Sequence, residues 1–112
     1  MIENQPSRTA ERVAMRRAVH QLIDRPPVHE DPLALAILGP VDAAALVNDA
    51  ERLEEASSLP SLRAFLAARS RLAEDALAQA VVTGVRRYVV LGAGLDTFAY
   101  RNPHAGLEVV EV

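Results

Sequence analysis

The passage from Arg86-Arg87-Tyr88-Val89-Val90-Leu91 into Gly92-Ala93-Gly94-Leu95-Asp96-Thr97 constrains this chain more than any other stretch. The first run is rich in β-forming residues and continuously apolar from Val89 onward. That is the pattern of a strand covered on both faces in a parallel sheet. Two glycines directly after such a strand let the backbone turn sharply and admit a ligand where a side chain would collide with it. A glycine pair alone also serves strand-to-helix turns that bind nothing, so the turn has to be read with its surroundings.

Those surroundings narrow the ligand. A dinucleotide fingerprint wants a third glycine or alanine three residues after the second, and position 97 is threonine, which removes the residue that packs the helix and admits the phosphates. No Lys-Ser or Lys-Thr pair follows the glycines, so a triphosphate-cradling loop fails as well. A ligand without a pyrophosphate remains. A second strand-like run, from Leu107 to Val112, ends in Val109-Val110-Glu111-Val112. An acid near the end of the second strand is where a ribose diol is gripped in this class of fold. Glu111 stands 17 residues beyond Gly94, which suits that role and equally suits an ordinary strand-end carboxylate. Asp96 is read as a cap for the helix after the turn.

Upstream the chain reads as helices. Ser7 to Ile23 suits one, capped by Ser7 or Thr9, with Met15, Ala18, Val19, Leu22 and Ile23 on its apolar face and Arg16, Arg17 and His20 elsewhere. Pro26-Pro27 ends it. Asp31-Pro32 opens a short helix over Leu33 to Leu38, closed by Gly39-Pro40. Another runs from Asp42 to about Ala56, and Ser57, Ser58 and Pro60 break the chain again. The longest helix spans Ser61 to about Thr83 and stops at Gly84. On it, Leu62, Phe65, Leu66, Leu72, Ala73, Ala76, Leu77 and Ala80 recur at helical spacing, with Arg63, Arg71, Glu74, Asp75 and Gln79 on the other side. Arg69 falls near the centre of that stripe. It either snorkels or pairs with a core carboxylate, or it aims its planar fork at a bound carboxylate.

Composition removes other classes. The 112 residues allow one domain or part of one. Without cysteine, and with His20, His29 and His104 scattered, a structural metal is not expected. The formal charge of −3, the 4% aromatic content and the lack of a basic stripe argue against nucleic acid. No apolar run nears the roughly 20 residues of a membrane span, and Met1 to Pro6 lacks signal-peptide character, so the cytoplasm is the expected compartment.

Tyr88-Val-Val-Leu-Gly-Ala-Gly-Leu-Asp-Thr-Phe-Ala-Tyr-Arg101, with Ser7-Arg-Thr-Ala10 and Ala68-Arg-Ser-Arg71 upstream, resembles the leucine carboxyl methyltransferase family, and within it the bacterial polyketide O-methyltransferase-like branch. The resemblance implies an α/β class I methyltransferase fold, Rossmann-like, preceded by a helical region that helps cover the active site. Residues 1–84 would be the helical cap region. Residues 85–112 would begin the S-adenosyl-L-methionine-binding domain, truncated after the second strand. It further implies that Gly92 and Gly94 approach the cofactor backbone-first, that Arg69 binds the methionine carboxylate, and that Arg8 has a similar role. The family's second strand typically ends Glu-Val-Asp, the aspartate holding the ribose diol; here Glu111 and Val112 are present and the chain stops.

The activity implied is transfer of a methyl group to a carboxylate or hydroxyl oxygen of a small molecule or other carboxylate acceptor, with the 112-residue piece inactive alone. No general base is named. The alternatives are a non-catalytic remnant or small helical interaction module, which uncovered apolar faces would favour, and a nicotinamide-binding domain, which Thr97 disfavours.

Overall fold

The structure is a computed structural model that describes residues 7–57 and 60–112. Helix α1 (Arg8–Ile23) starts where its cap dictates: Ser7 is extended, and its hydroxyl accepts from the Ala10 amide at 3.1 Å. Its inward face carries Ala14, Ala18 and Val19, together with His20 at 3% exposure. The helical periodicity places His20 off this face. It is buried because its ring is saturated with partners: Nδ1 lies 2.7 Å from Asp24 Oδ2, and Nε2 accepts from the amides of Val28 and His29.

The short helix expected over Leu33 to Leu38 is only a run of turns ending in a 3-10 turn at Ala36–Leu38. Asp31, the anticipated cap, accepts from the Leu33 amide at 3.0 Å and places its other oxygen on Thr97. Its carboxylate therefore serves a tertiary contact as well as the local turn. Helix α2 (Pro40–Ser57) covers the predicted segment but is kinked at Asp49, whose φ of −154° is not helical. The predicted break at Ser58 lies outside the described residues.

Helix α3 (Pro60–Val82) has the length the periodicity called for, and its buried face differs from the predicted stripe. Leu66, Ala67 and Leu77 are buried, but so is Arg63, while Phe65 and Leu72 are 60% and 72% exposed. Arg63 turns inward because Asp24 meets it with both oxygens, at 2.8 and 3.1 Å.

Strand β1 (Arg87–Val90) pairs in parallel with β2 (Glu108–Glu111), Arg87 opposite Glu108 and Val90 opposite Glu111. The ladder continues past both, since the Val112 amide donates to the Val90 carbonyl and the Gly92 amide to the Val112 carbonyl, each at 2.9 Å. A one-turn helix, α4 (Phe98–Arg101), lies in the crossover. The fold is thus mixed, helices first and a two-stranded parallel sheet last. β1 is not covered on both faces as its apolar run predicted: Val89 is 47% exposed and Leu91 77%, because α3 and α4 pack on one side through Tyr88.

Among the described residues two apolar clusters form. One joins α1, α2 and the intervening segment through Ala18, Val19, Ala34 and Leu46. The other joins α3, α4 and the start of β2 through Leu77, Phe98 and Leu107, the residue before the strand, with Tyr88 edge-on to Phe98 at 5.3 Å.

Candidate functional site

The turn after β1 is built as its glycines require. Gly92 and Gly94 have φ of 61° and 56°, the left-handed region open to glycine at low cost. The Asp96 amide closes the turn on the Ala93 carbonyl at 2.9 Å. Thr97, the residue that departs from a dinucleotide fingerprint, is fully buried. Its hydroxyl donates to Asp31 Oδ2 at 2.6 Å and accepts from Arg101 Nε at 2.9 Å. The position is thereby committed to tying the turn to the Asp31 segment. Asp96 does not cap α4; Thr97 is the residue at that place, without a side-chain cap bond.

Above the turn lies an open cavity of about 900 Å³, within the size range of small-molecule sites. Its walls come from α1 (Ala10, Val13, Arg17), from α3 (Arg69, Ser70, Ala73, Glu74) and from the β1 side (Tyr88, Val90 and the turn from Gly92 to Asp96). Of the residues singled out in the sequence, Arg69, Gly92 and Gly94 come together here. Arg69 is exposed, and its guanidinium sits 6.0 Å from the Phe65 ring centroid. Arg8 is exposed on the first turn of α1, and Glu111 is exposed on β2; neither is among the residues lining this cavity.

Gly94 carries a second constraint. A Cβ there would stand 3.0 Å from the Ala10 Cβ, whereas one at Gly92 would meet nothing within 4 Å. The N-terminal helix therefore rests on the second glycine and leaves the first open. Beside that contact, Arg17 reaches from α1 to the turn, Nη1 donating to Asp96 Oδ1 at 3.3 Å and Nη2 to the Leu95 carbonyl. Its Nε is buried with no hydrogen-bond partner among the described residues. Sequence reasoning missed Arg17, since a cation on a helix looks alike in solvent or in a wall.

The electrostatics around the cavity tie up Glu74, one of its two lining carboxylates. Burial alone would raise the Glu74 carboxyl, but hydrogen bonds from Arg101 and His29 and their charges outweigh it and hold it at about 2. Arg101 grips Glu74 with two bonds of 2.7 Å, and that partner raises its own value. The Tyr88 phenol is pushed up by burial and by the nearby Asp96 and Glu74 charges, so it stays a neutral hydrogen-bond donor. Among the described residues no group of three or more His, Asp or Glu is placed to hold a metal ion, and no helix is long and apolar enough to cross a membrane.

Comparison with known proteins gives a consistent set. Residues 10–112 match the family model described as leucine carboxyl methyltransferase. Bacillus subtilis YktD, provisionally named an S-adenosyl-L-methionine-dependent methyltransferase, is 29% identical over all of this chain and 44% of its own length. A similarly named protein of Mycobacteroides abscessus is 36% identical over 91% of this chain and 33% of its own. One of Mycolicibacterium smegmatis is 36% identical over 93% and 37%. The chain spans less than half the length of these relatives.

Proposed function

The chain belongs to the leucine carboxyl methyltransferase family, and from that premise we propose that it carries part of the S-adenosyl-L-methionine site of an O-methyltransferase acting on a carboxylate or hydroxyl oxygen. The observation that carries the reading is the convergence of Arg69, the Gly92–Gly94 turn and the face of α1 on one cavity. Residues 1–84 act as the helical cap, and residues 85–112 open a class I, Rossmann-like cofactor-binding domain. The acceptor is a small molecule or other carboxylate, and the 112-residue chain does not turn over alone.

The residues present suit the cofactor. Gly92 is open on the side where a side chain would stand, which lets a ligand approach the backbone of the turn. Arg69 is exposed at the cavity wall with no ion pair among the described residues, and a guanidinium fork fits a carboxylate. Glu111 and Arg8 remain candidate cofactor contacts, Glu111 toward the ribose diol at the end of β2. When bound, the cofactor supplies an electrophilic methyl group on a sulfonium. The protein's work is then to position and to exclude water: α1 covers the turn, Val13 and Ala73 line the wall, and Tyr88 donates without accepting a proton. A carboxylate acceptor needs no base, which agrees with the tied-up Glu74.

Calorimetric titration of S-adenosylhomocysteine into the 112-residue chain tests this, with Arg69→Ala alongside. Micromolar binding that weakens by about tenfold or more in the variant supports the assignment. Absence of heat from a folded chain would sink it and favour the interaction-module reading, to which the bare Val89 and Leu91 belong.

A further inference from the structure

We propose that Arg17 is a positioning residue: from α1 it holds the turn at Leu95 and Asp96 in the shape that floors the cavity, and through the turn it sets cofactor affinity. This rests on the reading of the cavity as a cofactor site. Arg17 stands seven residues after Ala10, two helical turns or about 10 Å along the same face. One helix face thus meets the turn at two points. A small residue sits against Gly94, and a guanidinium spans the Leu95 carbonyl and the Asp96 carboxylate.

The two ends of the turn are fixed independently. Gly92 is held by the ladder to Val112, and Thr97 by Asp31 and Arg101. Between them, Arg17 binds a backbone carbonyl and a side chain of adjacent residues with one rigid fork, a geometry a single ammonium cannot copy. Its side chain is 12% exposed, against 28% for Asp96, so the contact is largely shielded from water. A purely stabilising ion pair would need only the Asp96 contact. The bond to the Leu95 carbonyl fixes backbone orientation as well, and a small misplacement of a binding element can cost orders of magnitude in function.

The test compares the 112-residue chain with Arg17→Met, Arg17→Lys and Asp96→Asn. Amide spectra and hydrogen exchange are recorded without ligand, and S-adenosylhomocysteine affinity is measured by calorimetry. Arg17→Met is expected to shift the amides from Ala93 to Thr97, to speed their exchange while the α3 amides keep theirs, and to weaken binding about tenfold. Arg17→Lys should restore part of both, and Asp96→Asn, which keeps the carbonyl contact, should do less than Arg17→Met. Unchanged turn amides in a folded Arg17→Met chain, with affinity within about twofold, would overturn the proposal. Should Arg17→Met not fold, Arg17→Lys and Asp96→Asn decide by the same readouts. If the parent chain binds no S-adenosylhomocysteine, the cofactor reading fails for it, and the ligand-free amides still decide whether Arg17 shapes the turn.

Discussion

A methyl group added at Gly94 meets two penalties, and one added at Gly92 meets a single one. Both positions have positive φ, which costs an L-residue about 1–2 kcal/mol. Only at Gly94 would the new Cβ also press on Ala10, at 3.0 Å, an overpacking worth about 1–3 kcal/mol more. Gly94→Ala should therefore lower the urea midpoint more than Gly92→Ala, and in an Ala10→Gly background, which itself costs about 1 kcal/mol in the helix, Gly94→Ala should cost no more than Gly92→Ala. Equal losses at the two glycines would remove the helix contact from the explanation. The glycine turn was legible in the sequence because glycine after an apolar strand has few uses. Arg17 and Thr97 were not, since their roles depend on partners 79 and 66 residues away. Arg69 was singled out for lying on an apolar stripe. The stripe itself is partly solvent-facing, as Phe65 and Leu72 show, and Arg69 still ends at the cavity wall.

At the level of elements, α3 packs on the sheet through the apolar Leu77 cluster, and polar ties join the segment after α1 to α3 and α4. His29 on the segment after α1, Glu74 on α3 and Arg101 on α4 form one chain of contacts at 2.7 to 3.0 Å, and Asp31 and Thr97 extend it. Because the folded protein holds the Glu74 carboxyl at about 2 against an ordinary 4.5, the unfolded chain binds the proton more tightly. Glu74's contribution is complete above about pH 4.5 and fades as the pH falls toward 2. Its size is about 3 kcal/mol at most. Asp24, lowered chiefly by its bond from Arg63, adds a loss of the same sign. Glu74→Gln should flatten the acid limb of a stability–pH curve relative to the parent. An identical limb would mean that the network contributes nothing there. Arg101→Met, which strands the carboxylate, should cost less than the roughly 3–5 kcal/mol of a fully buried pair, since Glu74 is 23% exposed. Adding Glu74→Met should restore part of the loss in a denaturation series. Helix positions were readable from caps and breakers at Ser7, Pro60 and Gly84. The buried side of α3 and the replacement of the Leu33–Leu38 helix by turns were not, because Arg63 and Asp31 take partners distant in sequence, Asp24 and Thr97.

For the molecule as a whole, the ratio of covered to uncovered apolar surface governs behaviour in solution. Among the described residues the largest fully buried side chains are Leu46 and Thr97, while Val82, Leu72 and Leu91 are 72–87% exposed. Single exposed apolar residues are ordinary. Val89 and Leu91 differ, because they alternate on one face of a strand in a sheet of two strands, each with an unpaired edge among the described residues. Such an edge is a template for pairing with another chain, and an inward-pointing or facial lysine is the usual means of blunting it. The 112-residue chain is therefore expected to self-associate in sedimentation velocity as its concentration rises, and Val89→Lys is expected to suppress that association. Since Val89 is 47% exposed, the same substitution should change the unfolding free energy by no more than about 0.5–1 kcal/mol. Loss of association with stability retained would locate the sticky surface on the bare sheet face. Association unaffected by Val89→Lys would place it on the exposed side of α3, where Leu72→Lys is the next variant to sediment.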